Sequence, residues 1–213
     1  MTATRPSNSD SALTELRLST RDDHAHVERI LRLTQPMSLE RYAIVMLGFD
    51  AFLRAWEPLV QDAMPRRLQQ WFRARWRGGF ASADVEWLRS AGVLAAPTTT
   101  AQGIPSIPMR DLPEVMGSLY VIEGSALGGR VITPQLKTTL GLEPGHGASY
   151  FHGFGGATGS MWTDFRAVAS IEIGDSSGAR ARACGSAGST FGALIEHFAA
   201  LATESPVGSE RRG

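Results

Sequence analysis

Residues 13–31 read LTELRLSTRDDHAHVERIL, and the spacing within them decides the fold class. Leu13, Leu16, Thr20, His24, Val27 and Leu31 follow one another at helical steps of three or four, so they form one face of an α-helix. A half-buried strand would alternate apolar and polar residues, and such alternation is scarce anywhere in the chain. This first helix is expected from near Ser11 to about Leu33, ahead of Pro36. Ser38 can cap a second helix, running from Leu39 through FDAFLRAW to about Trp56, with Pro58 as a break or kink. Pro65 suits the first turn of a third, and Ser82 can cap a short fourth through DVEWLRSAG, with Gly92 as terminator. The segment PTTTAQGIPSIP, residues 97–108, reads as a loop. Helical character resumes after Pro113 to about Leu140, lapses over 141–159, and returns in two last helices near 160–173 and 178–203. Seven or eight helices without strands imply an all-α fold, one compact multi-helix domain over residues 11–203. Residues 1–10 and 204–213, rich in small, polar and breaker residues, are expected to be flexible tails.

Composition narrows the function. The chain has 213 residues, enough for one ordinary domain, and 21 basic residues balance 21 acidic ones. That balance gives no electrostatic reason to expect nucleic acid or a membrane surface as partner. A lone cysteine, Cys184, cannot form an internal disulfide, and no Cys/His group has zinc-site spacing. With no secretion-signal pattern at the start and no apolar run of the roughly 20 residues a membrane span needs, the expected location is the cytoplasm.

His24 sits in the middle of the first apolar stripe, whereas His26 lies about 200° around the axis and faces solvent. A lone histidine on such a face is often a core residue bonded to a carbonyl. The neighbours offer an alternative. Arg21 and Arg17 lie on or beside the same face, three and seven positions earlier. An imidazole in an apolar cleft with guanidinium groups at its rim suits a flat apolar disc bearing carboxylates on its edge, and haem is such a disc. Glu28, one turn on, can accept the other ring N–H and fix the tautomer, or pair instead with Arg32.

The segment MGSLYVIEGSALGGRVITPQL, residues 116–136, carries Gly124, Gly128 and Gly129 within a helical pattern. Three interior glycines cost on the order of 2–3 kcal/mol against alanine, so something must compensate. Gly124 and Gly128 share a face on which either a second helix packs closely or a planar ligand rests, with Gly128 and Gly129 allowing a bend around it. No strand precedes the segment and no Walker-type lysine follows it, which argues against a phosphate cradle.

At these segments the chain resembles the haem oxygenases, and more closely their bacterial, phytochrome-associated branch. LRLSTRDDHAHVE, residues 16–28, resembles the family's Thr-x-x-x-His-x-x-x-Glu proximal helix. SLYVIEGSALGGRVI, residues 118–132, resembles the distal helix whose glycines contact haem and bound oxygen. YFHGFGGATGSMWTDF, residues 150–165, and STFGALIEHF near the end are similar to further stretches of the family. The likeness spans about residues 13–200 and implies a haem-oxygenase-like helical domain. It assigns the axial iron ligand to His24, and catalytic positions to Gly124, Ser125 and Gly128. It assigns haem contacts to Arg17, Arg21, Glu28, Gly124, Gly128, Gly129 and Arg166. Animal members carry aspartate where this chain has Ser125, which leaves the proton-delivery group unnamed.

The resemblance implies that haem is both prosthetic group and substrate, cleaved with oxygen to biliverdin, ferrous iron and carbon monoxide. With no flavin- or nicotinamide-binding motif in the chain, electrons are expected from an external ferredoxin or flavin reductase-type donor. The arginines of RRLQQWFRARWR, residues 66–77, could dock such a donor or simply form a solvated helix face. A bacterial phytochrome is the implied recipient of the bilin. Two alternatives stand beside this reading: a non-catalytic haem carrier on the same fold, and a helical interaction module whose glycines only pack helices.

Overall fold

Asp111 accepts the Glu114 amide and opens the longest helix of the molecule, with Pro113 in its first turn and Gly141 closing it in a left-handed turn. This helix, α6 (Leu112–Leu140), is the axis around which the rest is packed. The computed structural model describes residues 9–95 and 103–204. Among them are nine α-helices and no named strand: α1 (Ser9–Ser19), α2 (Arg21–Leu31), α3 (Leu39–Ala63), α4 (Arg66–Arg73), α5 (Gly78–Ser90), α6, α7 (Ser149–His152), α8 (Thr158–Ile173) and α9 (Ser177–Glu204). A 3-10 turn, Gly155–Ala157, joins α7 to α8. The fold is all-α and a single compact domain, as the periodicity predicts. The tails expected at residues 1–10 and 204–213 lie almost wholly outside the described residues, as does half of the 97–108 loop; residues 103–108 are non-helical.

The interior is held by α3, α6 and α9. Trp56, Phe52, Leu53, Met116 and Leu119 are almost completely buried, each contributing roughly 1.5–3 kcal/mol by leaving water. Ser118 joins all three helices, accepting from Trp56 Nε1 at 2.9 Å and from Thr190 Oγ1 at 2.8 Å. Gly117 lets α9 approach so closely that a Cβ there would lie 2.0 Å from the Ala183 carbonyl oxygen.

Four elements depart from the sequence-based expectation. The first helix is two, α1 and α2, broken at Thr20, whose φ of −105° and ψ of 8° leave the helical well. The hydroxyls of Ser19 and Thr20 both donate to the Leu16 carbonyl, at 3.1 and 2.7 Å, and such back-bonding competes with the helical ladder and bends it. The second helix does not stop near Trp56: α3 runs through Pro58, which lies on the exposed side, where the carbonyl freed by its missing N–H can be hydrated. The helix expected to start at Ser82 begins at Gly78 instead. Glu57 supplies the cap from another helix, accepting from the Arg77 and Gly78 amides at 2.7 and 2.9 Å. Within the stretch read as loop, Asp84 likewise caps α7 from a distance, accepting from the Ser149 and Tyr150 amides.

Candidate functional site

The bend at Thr20 redirects α2 across the molecule so that α1, α2, α6, α8 and α9 surround one cleft of about 290 Å3. Arg17, Thr20, Arg21 and His24 line it from α1 and α2; Tyr120, Val121, Gly124 and Leu127 from α6; Trp162 from α8; and Phe191 from α9. Its walls are mainly apolar, and among the described residues its arginines are Arg17 and Arg21.

His24 is not a core histidine. Its side chain is 58% exposed, with the ring edge-on to Phe191 at a centroid distance of 6.0 Å. His197 on α9 fills the core role instead: it is buried, its Nε2 lies 3.0 Å from the Gly48 carbonyl, and burial pushes its pKa down. Glu28 approaches His24 on the Nδ1 side, with 3.6 Å between Nδ1 and Oε1, an ion-pair distance rather than a hydrogen bond. His26 is exposed, as its position on the helix predicts.

The glycines of α6 divide by role. Gly124 borders the cleft, and the nearest protein atom to a Cβ built on it is Trp162 Cη2 at 4.0 Å, so its backbone is bare to the cavity. Gly128 is exposed and lies off the cleft lining, with only Ile132 Cδ1 nearby at 3.7 Å. Gly129 corrects the expectation of a haem contact: it is buried against α7, and a Cβ there would lie 1.9 Å from the Phe151 carbonyl oxygen. One helix therefore carries close packing at Gly117 and Gly129 and an open face at Gly124.

Ser125 points elsewhere than its expected catalytic role. Its hydroxyl donates to the Ile122 carbonyl at 2.7 Å and accepts from Arg77 at 2.8 Å, and Ser125 is not among the cleft-lining residues. Arg166 is exposed on α8, one turn beyond Trp162, and is not among the cleft residues. The 66–77 arginines also divide. Arg66, Arg67 and Arg73 are exposed, and Arg67 pairs with Glu172. Arg75 and Arg77 are buried; Arg75 binds Glu123 at 2.9 Å and Asp164 still more closely. Burial pushes the Glu123 carboxyl up against the opposing pull of Arg75 and Arg77, while Trp71 and Arg75 hold Asp164 low.

Tyr120, Trp162 and Phe191 were missed by sequence reasoning. Tyr120 could have been found, because it lies four residues before Gly124 and so shares its face. Burial raises its hydroxyl pKa, opposed by the Arg17 charge and a hydrogen bond with Thr20. Trp162, stacked on Phe165 at 5.4 Å, and Phe191 reach the site only through tertiary packing.

The described residues contain no cluster of three or more His, Cys, Asp or Glu side chains able to hold a bare metal ion. They also contain no helix long and apolar enough to cross a membrane. The donors that are present instead suit a prosthetic group that brings its own metal: one accessible imidazole, a bare helix backbone, aromatic walls and two rim guanidiniums. No family model and no curated protein matches the chain. Its fold is similar to that in crystal structures of the NO- and CO-bound haem oxygenase from Neisseria meningitidis, with a TM-score of 0.70 and 19% identity over 95% of this chain and 97% of that one. That likeness establishes the haem-oxygenase-like fold.

Proposed function

We propose that this protein binds haem in the cleft between α2 and α6 and degrades it oxidatively, as a haem oxygenase. The observation that carries the reading is that the His24 imidazole and the bare Gly124 backbone border the same cleft, with Arg17 and Arg21 on its rim. In this reading His24 ligates the iron through Nε2, and Glu28 orients the ring from the Nδ1 side. The rim arginines and the Tyr120 hydroxyl hold the carboxylate edge, which fixes how the ring is turned in its plane. Trp162 and Phe191 would shield the bound ring from water, and Gly124 would let the α6 backbone come close to it. Bound haem would supply both the iron that activates oxygen and the ring that is opened. A neutral histidine ligand donates less electron density than a thiolate would, which suits ring oxidation over strong O–O cleavage. Electrons would come from an external ferredoxin or flavin reductase-type donor, and the biliverdin would serve a bacterial phytochrome.

The test is spectroscopic. Haem added to the protein should give a Soret band that His24→Ala abolishes or shifts. Reductant and air should then bleach that band as absorbance grows toward the red, with biliverdin identified by chromatography. No Soret band at all would refute the haem reading. A second reading, the non-catalytic haem carrier, draws on the Ser125 hydroxyl being turned to Arg77. It predicts a Soret band that survives reductant and air.

A further inference from the structure

Arg77, 4% exposed, is bonded to α6, the helix whose Gly124 borders the cleft. It reaches α6 from the short connection between α4 and α5. Its Nη2 donates to the Ile122 carbonyl and to Ser125 Oγ, both at 2.8 Å, and the group lies over the Tyr150 ring at 4.8 Å. Glu57, which accepts from the Arg77 and Gly78 amides, both anchors that connection and supplies a compensating carboxylate. Two residues before Arg77 in the same connection, Arg75 grips Glu123. Glu123 and Ser125 flank Gly124, so this one connection holds the cleft-facing glycine from both sides. Burying cations is costly unless they are paired and fully hydrogen-bonded, and both are spent on the same turn of α6.

We propose that Arg77 is a positioning residue for the cleft: through Ile122 and Ser125 it fixes the height and orientation of the Gly124 backbone, and so the hydrogen-bonding environment of whatever small ligand binds the haem iron. This rests on the haem reading only for its spectroscopic consequence. The mechanical part stands on the protein alone. Gly124 has no side chain, and outside its own helix the nearest atom to a Cβ built on it is Trp162 Cη2 at 4.0 Å, so beyond the helical ladder it is held only through its flanking residues.

The experiment compares wild type, Arg77→Met, Arg77→Lys and Ser125→Ala as full-length proteins, by amide hydrogen exchange without haem and by the carbon monoxide stretching frequency of the reduced haem complex. Losing a charged hydrogen bond that holds a helix turn should speed exchange of residues 123–129 in Arg77→Met on the order of tenfold, with α9 unchanged. The carbon monoxide stretch should shift in the same variant while the Soret band persists. Ser125→Ala should give a smaller change in the same direction, and Arg77→Lys should restore part of it. Should Arg77→Met fail to fold, Arg77→Lys against Ser125→Ala carries the comparison. Unchanged exchange and stretch would overturn the proposal, as would exchange that rises equally throughout the chain. If wild type gives no Soret band, the haem reading fails, and local exchange alone decides the role of Arg77.

Discussion

Alanine in place of each α6 glycine separates the ligand-facing position from the packing positions. At Gly129 the added methyl would sit 1.9 Å from the Phe151 carbonyl oxygen, where ordinary contacts begin at 3.4 Å, so α7 would have to retreat by more than an ångström. Phe151 is itself buried and its backbone cannot swing aside like a long side chain. Overpacking of this kind costs about 1–3 kcal/mol, and more where backbone must move, against about 1 kcal/mol gained from helix propensity. Gly129→Ala should therefore lose roughly 2 kcal/mol net, moving a urea midpoint down by about 1 M. At Gly124 the nearest protein atom is 4.0 Å away, so Gly124→Ala should keep the propensity gain and raise stability by up to about 1 kcal/mol. That same methyl enters the cleft, and pressed against a bound ring it should weaken haem binding roughly tenfold to a hundredfold. Urea denaturation followed by helical circular dichroism and haem titration at the Soret band, run on both variants, give the two axes. A Gly124→Ala protein that binds haem like wild type, or a Gly129→Ala protein as stable as wild type, would refute the division of the glycines drawn from the structure.

Arg21→Ala should weaken haem binding or change the mixture of biliverdin isomers, because the rim cation is expected to set the rotation of the ring; product chromatography reads the second effect. Thr20→Val removes the hydroxyl bonded to the Leu16 carbonyl without changing side-chain volume much, and should cost about 1 kcal/mol in a denaturation series while lowering haem affinity. His197 gives a pH signature. Its folded pKa is depressed below the ordinary 6.5 by burial, so the unfolded chain binds the proton more readily. Stability from this group is therefore complete above the ordinary value and declines as pH falls from there toward the folded pKa. The wild-type loss between pH 7.5 and pH 5.5 should exceed that of His197→Phe in paired urea melts; equal losses would show that His197 does not titrate on unfolding.

The helical class and most helix positions were legible in the sequence, because each depends on local periodicity or on caps within a few residues. Leu13 and Leu16 declare their inward face by spacing alone, and Gly141 declares the end of α6. The excess of glycine in α6 announced that something approaches the backbone. Which glycine meets what was a tertiary matter: Gly129 is claimed by α7 and Gly117 by α9, leaving Gly124 to the cleft. The bend at Thr20, the start of α5 at Gly78 and the short helix α7 depend on hydroxyls and carboxylates that compete with, or complete, backbone hydrogen bonds. In α5 and α7 the carboxylates, Glu57 and Asp84, come from other helices. Charge was the least readable feature, since one run of arginines in the sequence supplies both exposed cations and the two buried ones beneath α6. Local spacing can specify which face of a helix turns inward, but the partner that face meets is fixed only when elements distant in the chain are brought together.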